Sequence, residues 1–315
     1  MGLHIKGCNC SKGHKNRMVK LFVQLNGGLG NQLFQYAIGR ALALRNNVEL
    51  VLDIVGGFTR DFQYKRKYEL GRFSSLEFDI ATRWQQAVPV CYRIKNKLWM
   101  NNSCFYQGYL FVDFYVEKKF IFHQALASRV ITRNTWLLGY WQSPKYFTLY
   151  AALLRRELMP QHPVGDNYGA LAALMLQSDS VALGIRLYEE SRNPGDHALT
   201  GKLKTAVEIN GAVDKLRKLK PQGRFFVFCT HRAPELAKLN LPHNTIFVTP
   251  DDGYTDSVSS LWLLTRCKHH IFTNSSFYWW GAWLSHAVHN PEEQLIFAAD
   301  NFINVDGLCE HWGTF

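Results

Sequence analysis

A glycine-rich turn between a strand and a helix constrains the fold of this 315-residue chain more than any other feature. The apolar run VKLFVQL, residues 19–25, has the β-branched character of a buried strand and leads into GGLGNQLFQYA, residues 27–37. Beyond the glycines, apolar residues recur at helical spacing as far as Leu44. A strand, a tight turn and a helix in this order predict the first unit of an α/β domain.

The same turn has the properties of an anion-binding site. Gly28 and Gly30 let another group approach the backbone closely, and the N–H groups at the helix start, near Asn31 and Gln32, can bind a negative charge. A phosphate or a sugar hydroxyl suits this geometry. A tight turn that binds no ligand is an equally good interpretation of the turn taken alone.

A nicotinamide cofactor is a weaker alternative. The dinucleotide-binding fingerprint needs a third glycine where this chain has Leu33, although Asp53 ends the next strand-like run, where an acid binds ribose in such proteins. We therefore rank a dehydrogenase last among the candidate functions.

The alternation of strand-like and helical runs occurs twice along the chain. Residues 18–158 carry the first series, and the segment 149–169, rich in proline and glycine, interrupts the periodicity. Residues 159–315 repeat the pattern, beginning with the strand-like run SVALGIRL at 180–187. We predict two doubly wound, Rossmann-like α/β domains that face each other across a cleft, with the boundary at 158/159.

Charge and composition limit the class of protein. The hydrophobic fraction of 47 % is typical of a globular enzyme, and the net charge of +11 favours anionic partners such as nucleotide phosphates, an anionic membrane or nucleic acid. Four of the positive charges lie in the first 17 residues, which weakens the case for nucleic acid, and we expect no such partner. The basic clusters 60–67 and 214–220 are interpreted as solvated faces.

No secretion signal or run of about 18 apolar residues is present, and the seven cysteines are scattered, which together predict reduced thiols and a cytoplasmic location. We expect residues 1–17 to be a disordered basic extension. Four residues there have side chains that bind zinc in other proteins, but their spacing matches no standard zinc finger, and we expect no metal site. These residues are His4, Cys8, Cys10 and His14.

A second candidate site follows a strand in the second half. In KHHIFTNSSFYWWGAWL, residues 268–284, an apolar run ends at Asn274, Ser275 and Ser276 before an aromatic helix. Small hydroxyls and helix N–H groups at a strand end can bind a diphosphate, with Phe277 packing against the ligand. The alternative is a simple N-cap, and we expect the three tryptophans of this helix to be core.

A third candidate is Arg186, which follows the strand-like run of residues 180–187. An arginine at a strand end can neutralise a diphosphate by a bidentate contact as a sugar leaves its nucleotide. A purely structural ion pair with Glu189 or Glu190 is the alternative.

Four segments in order, GGLGNQLFQYA, LLGYWQSPKYF, GIRL and TRCKHHIFTNSSFYWWGAWL, resemble the family 11 glycosyltransferases, the α-1,2-fucosyltransferases. The resemblance implies a GT-B-like fold, with the first domain on the acceptor side and the second binding the nucleotide sugar. It further implies inverting transfer of L-fucose from GDP-fucose to the 2-hydroxyl of a galactose, without metal or other cofactor. In bacteria such enzymes assemble surface polysaccharides, so peripheral contact with an anionic inner membrane is a further expectation.

The resemblance also assigns residues. Arg186 matches the family's phosphate-contacting arginine, and with Asn31 and Glu189 it forms our predicted catalytic set. The predicted donor-binding set comprises Gly28, Gly30, Asn31, Gln32, Arg186, Asn274, Ser275, Ser276 and Phe277.

The second half departs from the family pattern at several positions. Gly184 replaces a histidine, Leu187 a second arginine and Glu189 an aspartate, while Tyr278 stands where serine is usual. Ser260 also replaces an acid, and Phe228, Cys229, Thr230 and His231 stand for Phe-Ser-Asp-Asp. Two alternatives follow: a different nucleotide-sugar donor on the same fold, or a catalytically impaired nucleotide-sugar-binding protein.

Overall fold

The computed structural model of the protein describes residues 19–59, 61–99, 105–109, 111–187 and 203–315. The expected N-terminal extension, with its four candidate zinc ligands, lies outside these ranges, as do Glu189 and Glu190.

The first sheet has six strands within the described residues, in the order β3-β2-β1-β6-β5-β4. All neighbours are parallel except β4 and β5, which form an antiparallel pair at the edge. The strands are β1 Lys20–Gln24, β2 Glu49–Asp53, β3 Asp79–Ile80, β4 Phe105–Tyr109, β5 Val112–Val116 and β6 Thr135–Leu138.

The second sheet is parallel throughout and runs β12-β11-β10-β7-β8-β9. Numbered within this half, the order is 3-2-1-4-5-6, which is that of the Rossmann fold. The strands are β7 Ser180–Gly184, β8 Arg224–Phe228, β9 Ile246–Val248, β10 His269–Phe272, β11 Ile296–Ala298 and β12 Gly313–Thr314.

Helices cover these sheets, and the first of them begins at the glycine turn. Gly28 is its N-cap, and Asn47, with φ of 51°, ends it in the left-handed conformation that asparagine tolerates. The helices described are α1 Leu29–Asn46, α2 Arg83–Trp99, α3 Gln124–Ala127, α4 Ala151–Glu157, α5 Asp166–Leu176, α6 Ala206–Leu219, α7 Ser257–Leu264 and α8 Ser276–Ser285.

The largest hydrophobic cluster continues from one sheet to the other through α1 and α8. The ring of Phe34 on α1 lies 4.6 Å from that of Trp279 and 4.9 Å from that of Trp280, both on α8. Trp279 and Trp280 are fully buried and Trp283 nearly so, which confirms that the three tryptophans are core. The two halves of the chain therefore share one packed interior instead of meeting only at polar surfaces.

The C-terminal segment returns to the first half. The Asp306 carboxylate accepts hydrogen bonds from Lys145 Nζ at 2.7 Å and from the Phe122 N–H at 3.0 Å, and its backbone carbonyl accepts from Ser143 Oγ at 2.7 Å. These charge-assisted bonds hold the Asp306 pKa below its ordinary value.

The prediction of an α/β fold with two Rossmann-like units facing across a cleft is confirmed. Three details differ from expectation. The antiparallel pair β4–β5 was not anticipated, the strand predicted at 180–187 ends at Gly184, and the segment 149–169 contains α4 and the start of α5. The boundary predicted at 158/159 falls between the strands of the two sheets. Of the helices in the described ranges, none has both the length and the hydropathy that a bilayer crossing requires.

Buried histidines make stability depend on pH. Burial lowers the pKa of His270 to about 3, and burial together with the nearby Arg155 lowers that of His286 to about 4. In the unfolded chain both groups bind a proton below about pH 6.5, so the unfolded state takes up more protons in this range. The two histidines should therefore leave the free energy of unfolding unaffected above about pH 6.5. As the pH drops toward 4, each should lower it by up to about 1.4 kcal/mol per pH unit.

Urea unfolding at a series of pH values measures this slope. His286→Gln should make the dependence shallower, whereas His243→Gln, at an exposed position, should leave it unchanged. Equal slopes for the wild type and His286→Gln would contradict the assignment.

Candidate functional site

A cavity of ≈ 790 Å³ lies between the two sheets. In each sheet the strand order reverses at one pair of neighbours, β1 and β6 in the first and β7 and β10 in the second. Loops that follow these four strands line the cavity from both sides. The site thus lies where two topological switch points face each other, which is the usual ligand position in open α/β sheets.

Two helix N-termini meet at this cavity. Gly28 caps α1 and Ser275 caps α8, and neither helix has a side-chain cap hydrogen bond at its N-cap. Gly30 approaches α8 so closely that a Cβ there would lie 2.5 Å from the backbone nitrogen of Phe277. The Gly30 carbonyl also accepts a hydrogen bond of 2.9 Å from Trp280 Nε1. Both positive helix ends therefore point into one space.

Asn31 connects the two halves at the cavity wall. Its Oδ1 accepts one hydrogen bond from Gln142 Nε2 at 2.7 Å and another from Ser276 Oγ at 2.8 Å. Gln142 belongs to the loop after β6, and Ser276 begins α8, so a single amide oxygen joins this loop to the first turns of two helices.

Arg186 also lines the cavity, two residues beyond the end of β7. Its backbone N–H donates to Thr273 Oγ1 at 2.7 Å, which fixes the start of the loop against β10. The eight predicted donor-site residues other than Gln32 all line this one cavity: Gly28, Gly30, Asn31, Arg186, Asn274, Ser275, Ser276 and Phe277. Their contacts with a donor stay a prediction.

Gln32 has a different position from the one expected. It is fully buried, and its Nε2 donates to the carbonyl oxygens of Gly27 at 3.0 Å and Lys67 at 2.8 Å. Its Oε1 accepts from the Glu69 N–H at 2.9 Å. Because its hydrogen-bonding groups are occupied by backbone, we assign Gln32 to holding the glycine loop, not to contacting a ligand.

Asp53, the acid considered for a ribose site, is likewise internal. Its carboxylate accepts from Gln24 Nε2 at 2.8 Å and from the N–H groups of Val55 and Gly56 at 3.1 and 2.8 Å. It is fully buried and lies outside the cavity lining, which removes the main support for a nicotinamide site.

Part of the cluster 60–67 lines the cavity, so its interpretation as a solvated face holds for the exposed Lys65 and Lys67 but not for Arg66. Asp61, Tyr64 and Arg66 line the wall, with the Asp61 carboxylate accepting from the N–H groups of Tyr64 at 2.9 Å and Arg66 at 3.0 Å. A turn that folds back on its own carboxylate turns these side chains inward, and local charge count does not reveal that.

The loop after β6 supplies another wall. Burial raises the pKa of Glu117, although the N–H groups of Tyr140 and Trp141 donate to its carboxylate at 2.6 and 3.2 Å. These bonds hold the loop so that Tyr140 and Gln142 line the cavity. Tyr140 and Gln142 both belong to the motif LLGYWQSPKYF, but the sequence did not identify either of them as a site residue.

The far rim is closed by contacts between the two halves. Arg72 pairs with Asp256, and Ser257 Oγ donates to the Glu69 carboxylate. Burial alone would raise the pKa of Asp256, but bonds from Arg72 and Ser259 outweigh it and lower that pKa. Glu69 and Asp256 add two carboxylates to the lining.

A second cavity of ≈ 370 Å³ adjoins the first on the side of the first sheet. Asn26 and Arg93 line both cavities, so the two spaces share a wall. The rest of its lining consists of Gln24, Tyr92, Val116, Leu138 and Gly139.

The geometry is that of an anion site with a second, smaller cavity beside it. Helix N-termini and Arg186 can bind a diphosphate, while Asp61, Glu69 and Asp256 are carboxylates within the same cavity. In the described ranges, no group of three or more His, Cys, Asp or Glu side chains is placed to hold a metal ion. The third predicted catalytic residue, Glu189, lies outside those ranges, and its role stays a prediction.

The sequence model of Glycosyl transferase family 11 matches residues 106–289, more than half of the chain. The chain belongs to glycosyl transferase family 11, which confirms the resemblance, and the protein is a glycosyltransferase.

Curated relatives are distant but cover most of the chain. An "Alpha-1,2-colitosyltransferase" of Escherichia coli is 27 % identical over 281 residues, covering 83 % of this chain and 86 % of the relative. The "O-antigen biosynthesis glycosyltransferase WbnK" of Escherichia coli is 24 % identical over 279 residues, covering 83 % and 89 %.

The solved structures that resemble this chain have a lower sequence identity to it than the curated relatives do. The fucosyltransferase NodZ from Bradyrhizobium has a TM-score of 0.49 and 14 % identity, covering 84 % of this chain and 92 % of that one. The E. coli ADP-heptose lps heptosyltransferase II has a TM-score of 0.41 and 12 % identity, covering 94 % and 92 %.

The close approach at Gly30 predicts a sharp difference between two glycines. In Gly30→Ala the new methyl group would meet backbone atoms of Ser276 and Phe277 at 2.5 Å, so α1 and α8 must separate, at a cost of about 1–3 kcal/mol. Thermal unfolding should show a melting temperature several degrees lower.

Gly28→Ala is the matched control, because the nearest atoms to its Cβ belong to the Arg66 side chain at 3.8 Å or more. Its melting temperature should stay near that of the wild type. Equal melting temperatures for the two variants would show that the helix contact is looser than described.

Proposed function

We propose that the protein is an inverting glycosyltransferase that moves L-fucose from GDP-fucose to the 2-hydroxyl of a galactose in a surface-polysaccharide intermediate. The observation that carries the proposal is the convergence of two helix N-termini and Arg186 on one cavity in a family 11 chain. Three sources of positive potential around one cavity favour a diphosphate over a neutral ligand.

In this proposal the residues act mainly on the leaving group. The bond between the fucose anomeric carbon and the β-phosphate oxygen breaks, and negative charge develops on GDP. Arg186 and the N–H groups at Gly30, Ser276 and Phe277 stabilise that charge. Because these donors are already fixed by the packing of α1 on α8, little reorganisation is needed during the reaction.

The acceptor approaches from the opposite face of the sugar, which gives inversion. We place the acceptor galactose in the second cavity, where Asn26 and Arg93 offer hydrogen-bond donors beside the donor space. The proton of the attacking hydroxyl passes to a carboxylate. Glu189 is the predicted group, and Asp61 and Glu69 are the carboxylates of the first half that line the cavity.

A second donor is favoured by a specific observation. The relative with 27 % identity is named an α-1,2-colitosyltransferase, and colitose is L-fucose without the 3-hydroxyl group. The altered segment Phe228–Thr230 also lines the cavity. The same fold and linkage therefore suit transfer of a 3-deoxy sugar. The remaining alternative is a protein that binds the nucleotide sugar without transferring it.

A donor and acceptor screen tests the function. The protein is incubated with GDP-fucose, GDP-colitose, UDP-galactose or dTDP-rhamnose and a set of β-galactosides, with and without EDTA, and products are read by mass spectrometry. We expect a 2-linked product from a GDP-linked 6-deoxy sugar, unaffected by EDTA. Turnover only with a UDP- or dTDP-sugar would overturn the donor assignment, and loss of activity in EDTA would overturn metal independence.

Arg186→Ala should lower kcat by at least about 100-fold, because the charge leaving with GDP loses its main cationic partner. Arg224→Ala is the matched control. Arg224 begins strand β8, whereas Phe228 at the other end of that strand lines the cavity, so this variant should retain wild-type kcat. An Arg186→Ala enzyme with unchanged kcat would contradict the assigned role.

We also propose that the enzyme works at an anionic membrane surface, where lipid-linked glycans are found. Supporting this, α2 exposes Trp84 at 88 % and Ile94 at 60 %, and Ile80 of β3, four residues before Trp84 in the sequence, is also exposed. Besides Arg93, which lines the cavities, the α2 sequence carries three basic residues and no acid. A basic helix with an exposed tryptophan has the composition of an interfacial helix.

Vesicle co-sedimentation tests this association. The wild type should bind vesicles containing phosphatidylglycerol more tightly than pure phosphatidylcholine, and Trp84→Ser with Ile94→Ser should weaken binding about tenfold or more. Leu149→Ser removes an equally exposed apolar side chain elsewhere and should bind like the wild type. A protein that ignores anionic vesicles, or dimerises through this face, would contradict the proposal.

A further inference from the structure

The peptide bond between Ile185 and Arg186 is held at both of its polar groups. The Arg186 N–H donates to Thr273 Oγ1 at 2.7 Å. The Ile185 carbonyl lies 3.2 Å from the Tyr278 hydroxyl, which also lies 3.0 Å from the Phe228 carbonyl. One hydroxyl proton is thus shared by two carbonyl oxygens at the ends of neighbouring strands β7 and β8.

Tyr278 reaches these carbonyls only because residue 184 is glycine. A Cβ at Gly184 would lie 2.4 Å from Cγ of Tyr278 and 2.7 and 2.8 Å from its two Cδ atoms. Such distances are far inside van der Waals contact, so the ring fills the space that any side chain at 184 would need. Two positions that depart from the family pattern are therefore one packed pair.

This pair links the two elements that supply positive potential to the cavity. Tyr278 belongs to the first turn of α8, immediately after Ser276 and Phe277, whereas Gly184 ends the strand that leads to Arg186. The ring and its hydroxyl therefore set the spacing between the α8 N-terminus and Arg186. The side chain is 7 % exposed, so solvent cannot replace these contacts.

We propose that Tyr278 is a positioning residue for Arg186, seated on Gly184 and assisted by Thr273. Its hydroxyl holds the peptide that precedes the arginine, so that the guanidinium and the α8 N-terminus address the same diphosphate. This proposal rests on the proposed function, in which Arg186 stabilises the departing GDP.

Tyr278→Phe is the sharpest test, because it keeps the ring on Gly184 and removes only the hydroxyl. We expect kcat/KM for the nucleotide sugar, and affinity for GDP by calorimetry, to fall roughly 3- to 10-fold, as for loss of one buried hydrogen bond. In an Arg186→Ala background the same change should lower kcat/KM less than twofold. A residue with only a structural role would lower the melting temperature and act equally in both backgrounds, which would overturn the proposal.

A second pair of variants tests the packing of the Tyr278 ring on Gly184. Gly184→Ala should reduce kcat/KM at least tenfold in the wild type, because the ring must move, and less than twofold in a Tyr278→Ala background, where the space is open. Gly211→Ala, on α6 with no atom within 4 Å of its Cβ, is the control and should not reduce activity. Equal effects of Gly184→Ala in both backgrounds would contradict the packed pair.

The calorimetric measurement of GDP affinity distinguishes failure of this proposal from failure of the proposed function. A wild type that binds no GDP overturns the function itself. A wild type that binds GDP, with Tyr278→Phe binding equally well and turning over equally fast, overturns only the positioning role.

Discussion

The backbone contact between Gly30 on α1 and the first turn of α8 is the constraint on which the rest of the structure depends. No side chain separates the two helices there, so the Trp280 indole can reach the Gly30 carbonyl and Phe34 can pack among the tryptophans. The same approach brings Ser276 within hydrogen-bond distance of Asn31. Core, cleft and candidate site thus derive from one position without a side chain.

The electrostatic consequence follows from helix geometry. Two helices that meet N-terminus to N-terminus bring like partial charges together, which is unfavourable without a compensating anion. The shared Asn31 oxygen supplies partial negative charge at this point, accepting from both sides. A diphosphate would compensate these partial charges far better. The packing that stabilises the fold therefore also leaves positive potential at the cavity, which favours an anionic ligand.

Much of this arrangement was predictable from the sequence, because strand ends in open α/β sheets are ligand positions. Arg186 and the Asn274–Phe277 turn were found by that rule, and the glycine turn by its residue types. The internal position of Gln32 was not expected, because its three backbone partners lie in the glycine turn and in residues 67–69, two segments that only folding brings together. The inward turn of Asp61 and Arg66 depends on backbone conformation in the same way. The contact between Gly184 and Tyr278 joins residues 94 positions apart, and each alone reads as a simple substitution.

That contact also restricts how such a chain can change in evolution. While tyrosine occupies position 278, a residue with a Cβ at 184 forces the ring to move, so a histidine or other functional side chain that enters there first disturbs the contacts of the Arg186 peptide. Replacing the ring by a smaller side chain opens the space at position 184 beforehand. The packing therefore favours one order of mutations between this sequence and one with a side chain at 184, whatever chemistry the new residue would bring.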